Sequence, residues 1–106
     1  MTMHSRTATA KVAESQVYSE AEIRRRLPEI AGWDFDGKQL ARLFVFPSFP
    51  DAVAFVDRLA VAAEQAGHHP DIDIRYDTVR LQLMTHSAKG VTDKDFSLAT
   101  RINSLA

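Results

Sequence analysis

Three of the four histidines in this 106-residue chain fall between positions 68 and 86. His68, His69 and Pro70 are consecutive, and His86 follows an alternating apolar and polar stretch. Glu64 precedes the first pair and Asp95 follows the last imidazole, with Tyr76 and Thr85 between. Imidazole is the one side chain whose unperturbed pKa lies near neutrality. Two imidazoles flanking a small substrate can remove one proton and donate another, with no metal and no nucleophile. Three histidines can also hold zinc with one position open. However, the helical His-x-x-x-His spacing is absent, and neighbouring His68 and His69 are an awkward chelating pair. A structural reading stays open for each residue. His69 before Pro70 fits a loop, His86 a strand end, Asp95 a helix cap, Glu64 an exposed helix face and Tyr76 the core.

The elements that must position these residues can be read in order. Residues 1–17 are Thr, Ala, Ser and charge without a sustained period, and they read as a mobile leader with His4 solvated. Ser19 to Glu22 has capping-box form and opens a short helix ending near Pro28. Trp33 and Phe35 alternate with polar residues before Asp36-Gly37, a tight-turn pair. Leu40 to Phe46 then read as a strand, with Trp33 in the core.

Ser48, Pro50 and Asp51 begin the longest helix, and Gly67 is a natural stop. Val53, Val56, Ala60 and Ala63 trace one apolar stripe, with Phe55, Leu59 and Ala62 beside it. Ile72, Ile74 and Tyr76 alternate with polar residues, as do Val79, Leu81 and Leu83, which predicts two half-buried strands. Thr92 to Asp95 caps a last helix carrying Leu98, Ile102 and Leu105. Helix, two strands, long helix, two strands and helix imply an α+β fold with helices on one face of an antiparallel sheet. In extended backbone, His68 and His69 point to opposite faces, and Pro70 holds His69 extended.

Composition narrows the function. The net charge is −1, with no basic stripe for nucleic acid. The only basic run, Arg24 to Arg26, suits a helix C-terminus. There is no cysteine, so thiolate ligands and nucleophiles are excluded, and no Gly-x-Ser-x-Gly motif. No apolar run approaches a membrane span and no secretory signal is visible, so the expected location is cytoplasmic.

At Glu64, His68-His69-Pro70, Tyr76, His86 and Asp95 the sequence resembles the pterin-4a-carbinolamine dehydratases. Gly32-Trp33, Asp36-Gly37 and Phe44 agree with it. Family members often carry Trp shortly after His-His-Pro, where this chain has Ile72. The resemblance implies one domain over residues 18–106: a four-stranded antiparallel sheet with three helices, assembling into homodimers or homotetramers. It implies dehydration of 4a-hydroxytetrahydropterin to quinonoid dihydropterin. That reaction regenerates the cofactor of aromatic amino acid hydroxylases, which are expected pathway neighbours. No cofactor and no metal are expected. His68, His69, His86 and Asp95 would be catalytic; Glu64, Pro70, Tyr76 and Thr85 would contact the pterin. The family also implies an alternative, a non-catalytic coactivator or assembly chaperone of the same fold.

Overall fold

The computed structural model describes residues 16–106, so the expected leader, His4 included, lies outside the described residues up to position 15. Helix α1 spans Glu20–Arg26, with the Ser19 side chain accepting from the Glu22 amide. Its acids lie in the first turn and its three arginines in the last, the polarity that opposes the helix dipole. Pro28 cannot continue the α-helical ladder, and the chain passes through a 3-10 turn at Leu27–Glu29.

Strand β1, Asp34–Phe35, is short. The Asp36 carboxylate accepts from the amides of Lys38 and Gln39 at 2.9 and 2.8 Å, which turns the chain into β2, Leu40–Val45. Helix α2 runs Phe49–Ala66 between a Ser48 cap and Gly67, whose φ of 61° is the left-handed conformation that ends helices. Strands β3, Asp71–Arg75, and β4, Thr78–Leu83, form a hairpin, and α3 covers Asp93–Asn103.

The strands lie in the order β1-β2-β4-β3, every pair antiparallel. Phe44 stands opposite Val79, and Leu40 opposite Leu83. Leu40, Phe44, Val79, Leu81 and Leu83 therefore share one sheet face. They are buried in a single cluster with Ile23 of α1, Phe55 and Leu59 of α2, and Phe96, Leu98 and Ile102 of α3. The other face stays open, with Leu43 and Val45 exposed. This is the expected α+β architecture, three helices on one face of a four-stranded sheet. Trp33 belongs to the core and donates its indole N–H to Asn103 Oδ1 at 2.8 Å.

The structure corrects the sequence reading at three elements. The buried face of α2 is Ala52, Phe55, Leu59, Ala62 and Ala63, and Ala60 is exposed. Apolar residues on several sides of this helix leave its period ambiguous, and the larger Phe55 and Leu59 prevail because they remove more area from water. Strand β3 is exposed along its whole length instead of half-buried, because it is the sheet edge beyond the reach of the helices. Tyr76 is neither strand nor core: it sits in the β3–β4 turn with φ 57° and is 72% exposed.

Candidate active site

The long helix delivers His68. The amide of His68 donates to Ala63 O at 3.2 Å across the Gly67 cap, so the ring leaves α2 at a fixed place. The last helix delivers Asp95. Thr92 caps α3 with a reciprocal capping box in which the Asp95 side chain accepts the Thr92 amide. The carboxylate sits in the first turn of α3 and is fully buried. Its Oδ1 meets His68 Nε2 at 2.6 Å. Its Oδ2 accepts the Thr85 hydroxyl and the Thr92 amide, each at 2.9 Å. Thr85 Oγ1 and Thr92 Oγ1 are 2.7 Å apart. Because the Thr85 hydrogen is spent on Asp95, the Thr92 hydroxyl donates to Thr85.

Asp95 Oδ2 accepts two hydrogens, and its Oδ1 faces His68 Nε2. With Asp95 as the acceptor, the tautomer that makes this 2.6 Å contact a hydrogen bond carries its hydrogen on Nε2. That leaves Nδ1 as the nitrogen able to gain or lose a proton in a reaction. A carboxylate behind an imidazole orients the ring and stabilises charge that develops on it during reaction, so the couple suits a base that becomes a transient acid.

His69 takes the opposite course, as extended backbone before proline requires. Its Nε2 lies 2.5 Å from Glu64 Oε2, back on α2. Both side chains are well exposed, so this is a surface pair of small energetic weight.

His68 lines a cleft of about 470 Å³ between the end of α2 and one face of α3. Its α3 wall carries Asp93, Lys94, Ser97, Leu98 and Arg101. The volume is in the usual range for small-molecule sites. Asp93 at its rim accepts the Tyr18 hydroxyl at 3.3 Å. Burial, and then that carboxylate, raise the Tyr18 pKa above its ordinary value.

Of the eight residues singled out from sequence, the structure joins His68, Asp95 and Thr85 in one network. Thr85, expected at the pterin, is buried and its hydroxyl faces Asp95, not the cleft. Pro70 is buried, and Tyr76 projects from the distant hairpin tip; neither lines the cleft. His86 opens a 3-10 turn, His86–Ala88, that replaces the expected strand end. It is exposed, lies outside the cleft lining and makes no side-chain hydrogen bond to another described residue. Among the described residues, no three His, Asp or Glu side chains come together as a metal-sized group. Sequence reasoning missed the polar wall of α3. Lys94, Ser97 and Arg101 recur at helical spacing and would pass for an ordinary solvated face.

A model of the pterin 4 alpha carbinolamine dehydratase family matches residues 16–105. The chain belongs to that family. A protein of Roseiflexus sp. (strain RS-1), named as a pterin-4-alpha-carbinolamine dehydratase, is 53% identical over 82% of this chain and 94% of its own length. The crystal structure of a transcriptional coactivator/pterin dehydratase from Brucella melitensis superposes with a TM-score of 0.81. It is 34% identical and covers 86% of this chain and 99% of that one. A pterin dehydratase-like protein described as a RuBisCO assembly factor of the alpha-carboxysome aligns with a TM-score of 0.62 and 29% identity, over 71% of this dehydratase-family chain and 89% of its own.

Proposed function

We propose that this protein is a hydro-lyase that dehydrates 4a-hydroxytetrahydropterin to quinonoid dihydropterin by histidine acid–base catalysis. The observation that carries the mechanism is the 2.6 Å contact between His68 and the buried Asp95 on the wall of a cleft of small-molecule size. Loss of water needs a proton delivered to the departing 4a hydroxyl and a proton removed from a ring N–H. His68 Nδ1, with Asp95 stabilising the charge that develops on the ring, supplies one of these transfers. The family resemblance assigns the other to His86, whose exposed ring lies outside the cleft lining, so a substrate served by both imidazoles must reach past the cleft wall. His69 orients the pterin, with Glu64 fixing its ring. Pro70 restricts His69 to extended backbone, and Tyr76, exposed at the hairpin tip away from the cleft, takes no part in this scheme. No metal and no cofactor enter this scheme.

The same reading extends to the setting. The work is done in the cytoplasm, within tetrahydrobiopterin-type cofactor recycling, next to an aromatic amino acid hydroxylase. The unit is a homodimer or homotetramer, and the open edge of β3 offers unpaired backbone groups for such an assembly.

The test is spectrophotometric dehydration of a synthetic 4a-hydroxytetrahydropterin by the wild-type protein and by His68→Ala and His86→Ala separately. Each loss is expected to reach about 10²-fold or more, the usual contribution of a positioned acid or base. Unchanged rates in both variants would defeat the assignment.

A further inference from the structure

The wall of the cleft beyond His68 carries a feature that the dehydration chemistry does not use. Ser97 and Arg101 are four residues apart on α3, so they are neighbours on one helix face, and both line the cleft. Among the described residues, Arg24, Arg25, Arg26 and Arg75 each face a carboxylate, while Arg42 and Arg58 donate to backbone carbonyls. Arg101, the arginine on the cleft lining, faces no carboxylate either: its Nη2 donates to Gln65 Oε1, a neutral amide in the last turn of α2. The guanidinium is thus braced across the cleft with its full charge and several N–H donors left over. The Ser97 side chain makes no hydrogen bond to another described residue. Of the remaining charged groups on the lining, Lys94 adds positive charge, and the carboxylate of Asp93 is turned to the Tyr18 hydroxyl. Asp95 is buried on the far side of His68 and its oxygens are all engaged.

Spacing sets what can reach both ends. From Asp95, at the level of the His68 ring, to Arg101 is six residues of helix, about 9 Å at 1.5 Å per residue. That is the span of a bicyclic ring carrying a short substituent. We propose that Arg101 and Ser97 form an anion subsite, and that the preferred ligand is a pterin whose 6-substituent ends in a phosphate ester or a carboxylate. This rests on the reading that the ring lies against His68, and it goes beyond it by naming the class of side chain. A planar guanidinium fork matches either oxyanion with two parallel hydrogen bonds.

The experiment uses the full chain and three stable pterins: 6-hydroxymethylpterin, its phosphate monoester and pterin-6-carboxylate. Dissociation constants are read from the pterins' own fluorescence at low and high salt, for wild type, Arg101→Gln and Ser97→Ala. The wild type is expected to bind at least one anionic pterin about 10- to 100-fold more tightly than the alcohol, as charge-assisted hydrogen bonds provide. Salt should shrink that ratio, Arg101→Gln should bring it near one, and Ser97→Ala should reduce it in part. The phosphate and carboxylate arms decide between the two anions. Equal affinity for all three pterins, or a ratio unmoved in Arg101→Gln, overturns the subsite. Dehydration of a neutral 4a-hydroxypterin is measured beside it. Dehydration without anion preference sinks the subsite and leaves the dehydratase reading standing, whereas anion preference without dehydration does the reverse.

Discussion

Asp95→Asn is the sharpest probe of the His68 couple, because it changes charge and hydrogen count while nearly preserving shape. In the wild type, Oδ2 takes two hydrogens, from Thr85 and Thr92, and Oδ1 faces His68 Nε2, taking its hydrogen in the Nε2–H tautomer. An asparagine has one acceptor oxygen and one NH₂. Two donors on the inner side claim the oxygen, so the NH₂ turns toward His68 Nε2. That nitrogen must then accept, and the ring shifts its hydrogen to Nδ1, the atom that has to be free for reaction. The couple is therefore lost in both tautomer and charge. In serine proteases the same Asp-to-Asn exchange behind a histidine lowers the rate by about 10⁴-fold, and a range of about 10²- to 10⁴-fold is expected here. Replacing charge-assisted hydrogen bonds by neutral ones should also lower stability by about 1–3 kcal/mol. The capping box keeps its backbone contact, so the protein should still fold. Two measurements check this: dehydration kinetics on protein shown to be folded by circular dichroism, and nitrogen-15 chemical shifts of the His68 ring. If the variant keeps its rate within threefold, or if wild-type His68 already carries its hydrogen on Nδ1, the proton count is wrong.

Two further outcomes are expected. Gly67→Ala meets no atom within 4 Å, but it forces a side chain onto a φ of 61°. Its cost is therefore backbone strain alone, about 1 kcal/mol, seen as a lower urea midpoint, and Gly67→Asn should lose less. Asp36 has its pKa held below the ordinary 3.8 by the Gln39 amide, against the effect of burial and with help from the Lys38 amide. A depressed carboxylate pKa stabilises the fold above the unfolded value near 4 and loses that stabilisation as pH falls through the folded value. The stability difference between wild type and Asp36→Asn should thus be present at pH 6 and shrink as pH drops below about 4. A difference that stays constant across that range would exclude the linkage.

Much of the frame was legible before any coordinates. Capping residues and punctuation placed the helices: Ser19, Ser48 and Thr92 each accept an amide where their types and spacing predicted. An apolar run stopped by Pro47 located β2 and alternation located β4, both central strands flanked on either side. Alternation misled at β3, because Ile72 and Ile74 have the pattern of a half-buried strand whichever position the strand holds in the sheet. Period alone cannot say which strand is the edge. Within the site, family resemblance placed Asp95 among the catalytic residues, but that its partner is His68, 27 residues away in sequence, is seen only in the structure. Thr85 was expected at the pterin from the resemblance, yet its hydrogen bonds to Asp95 and Thr92 draw it inward. The Ser97 and Arg101 wall was invisible for the converse reason: a helix always shows a polar face to water, and only α2 opposite it turns that face into a cleft.

The abrupt stop at Gly67 gives α2 the character of a ruler. One residue more between Ser48 and Gly67 would carry the following imidazole forward by about 1.5 Å and swing it by roughly 100° around the helix axis. Asp95 is anchored separately, through the start of another helix, and could not follow. Substitutions along the exposed side of α2 should therefore be absorbed readily, while a single insertion or deletion anywhere in its eighteen residues should disconnect the two halves of the proton-transfer couple even in a chain that still folds.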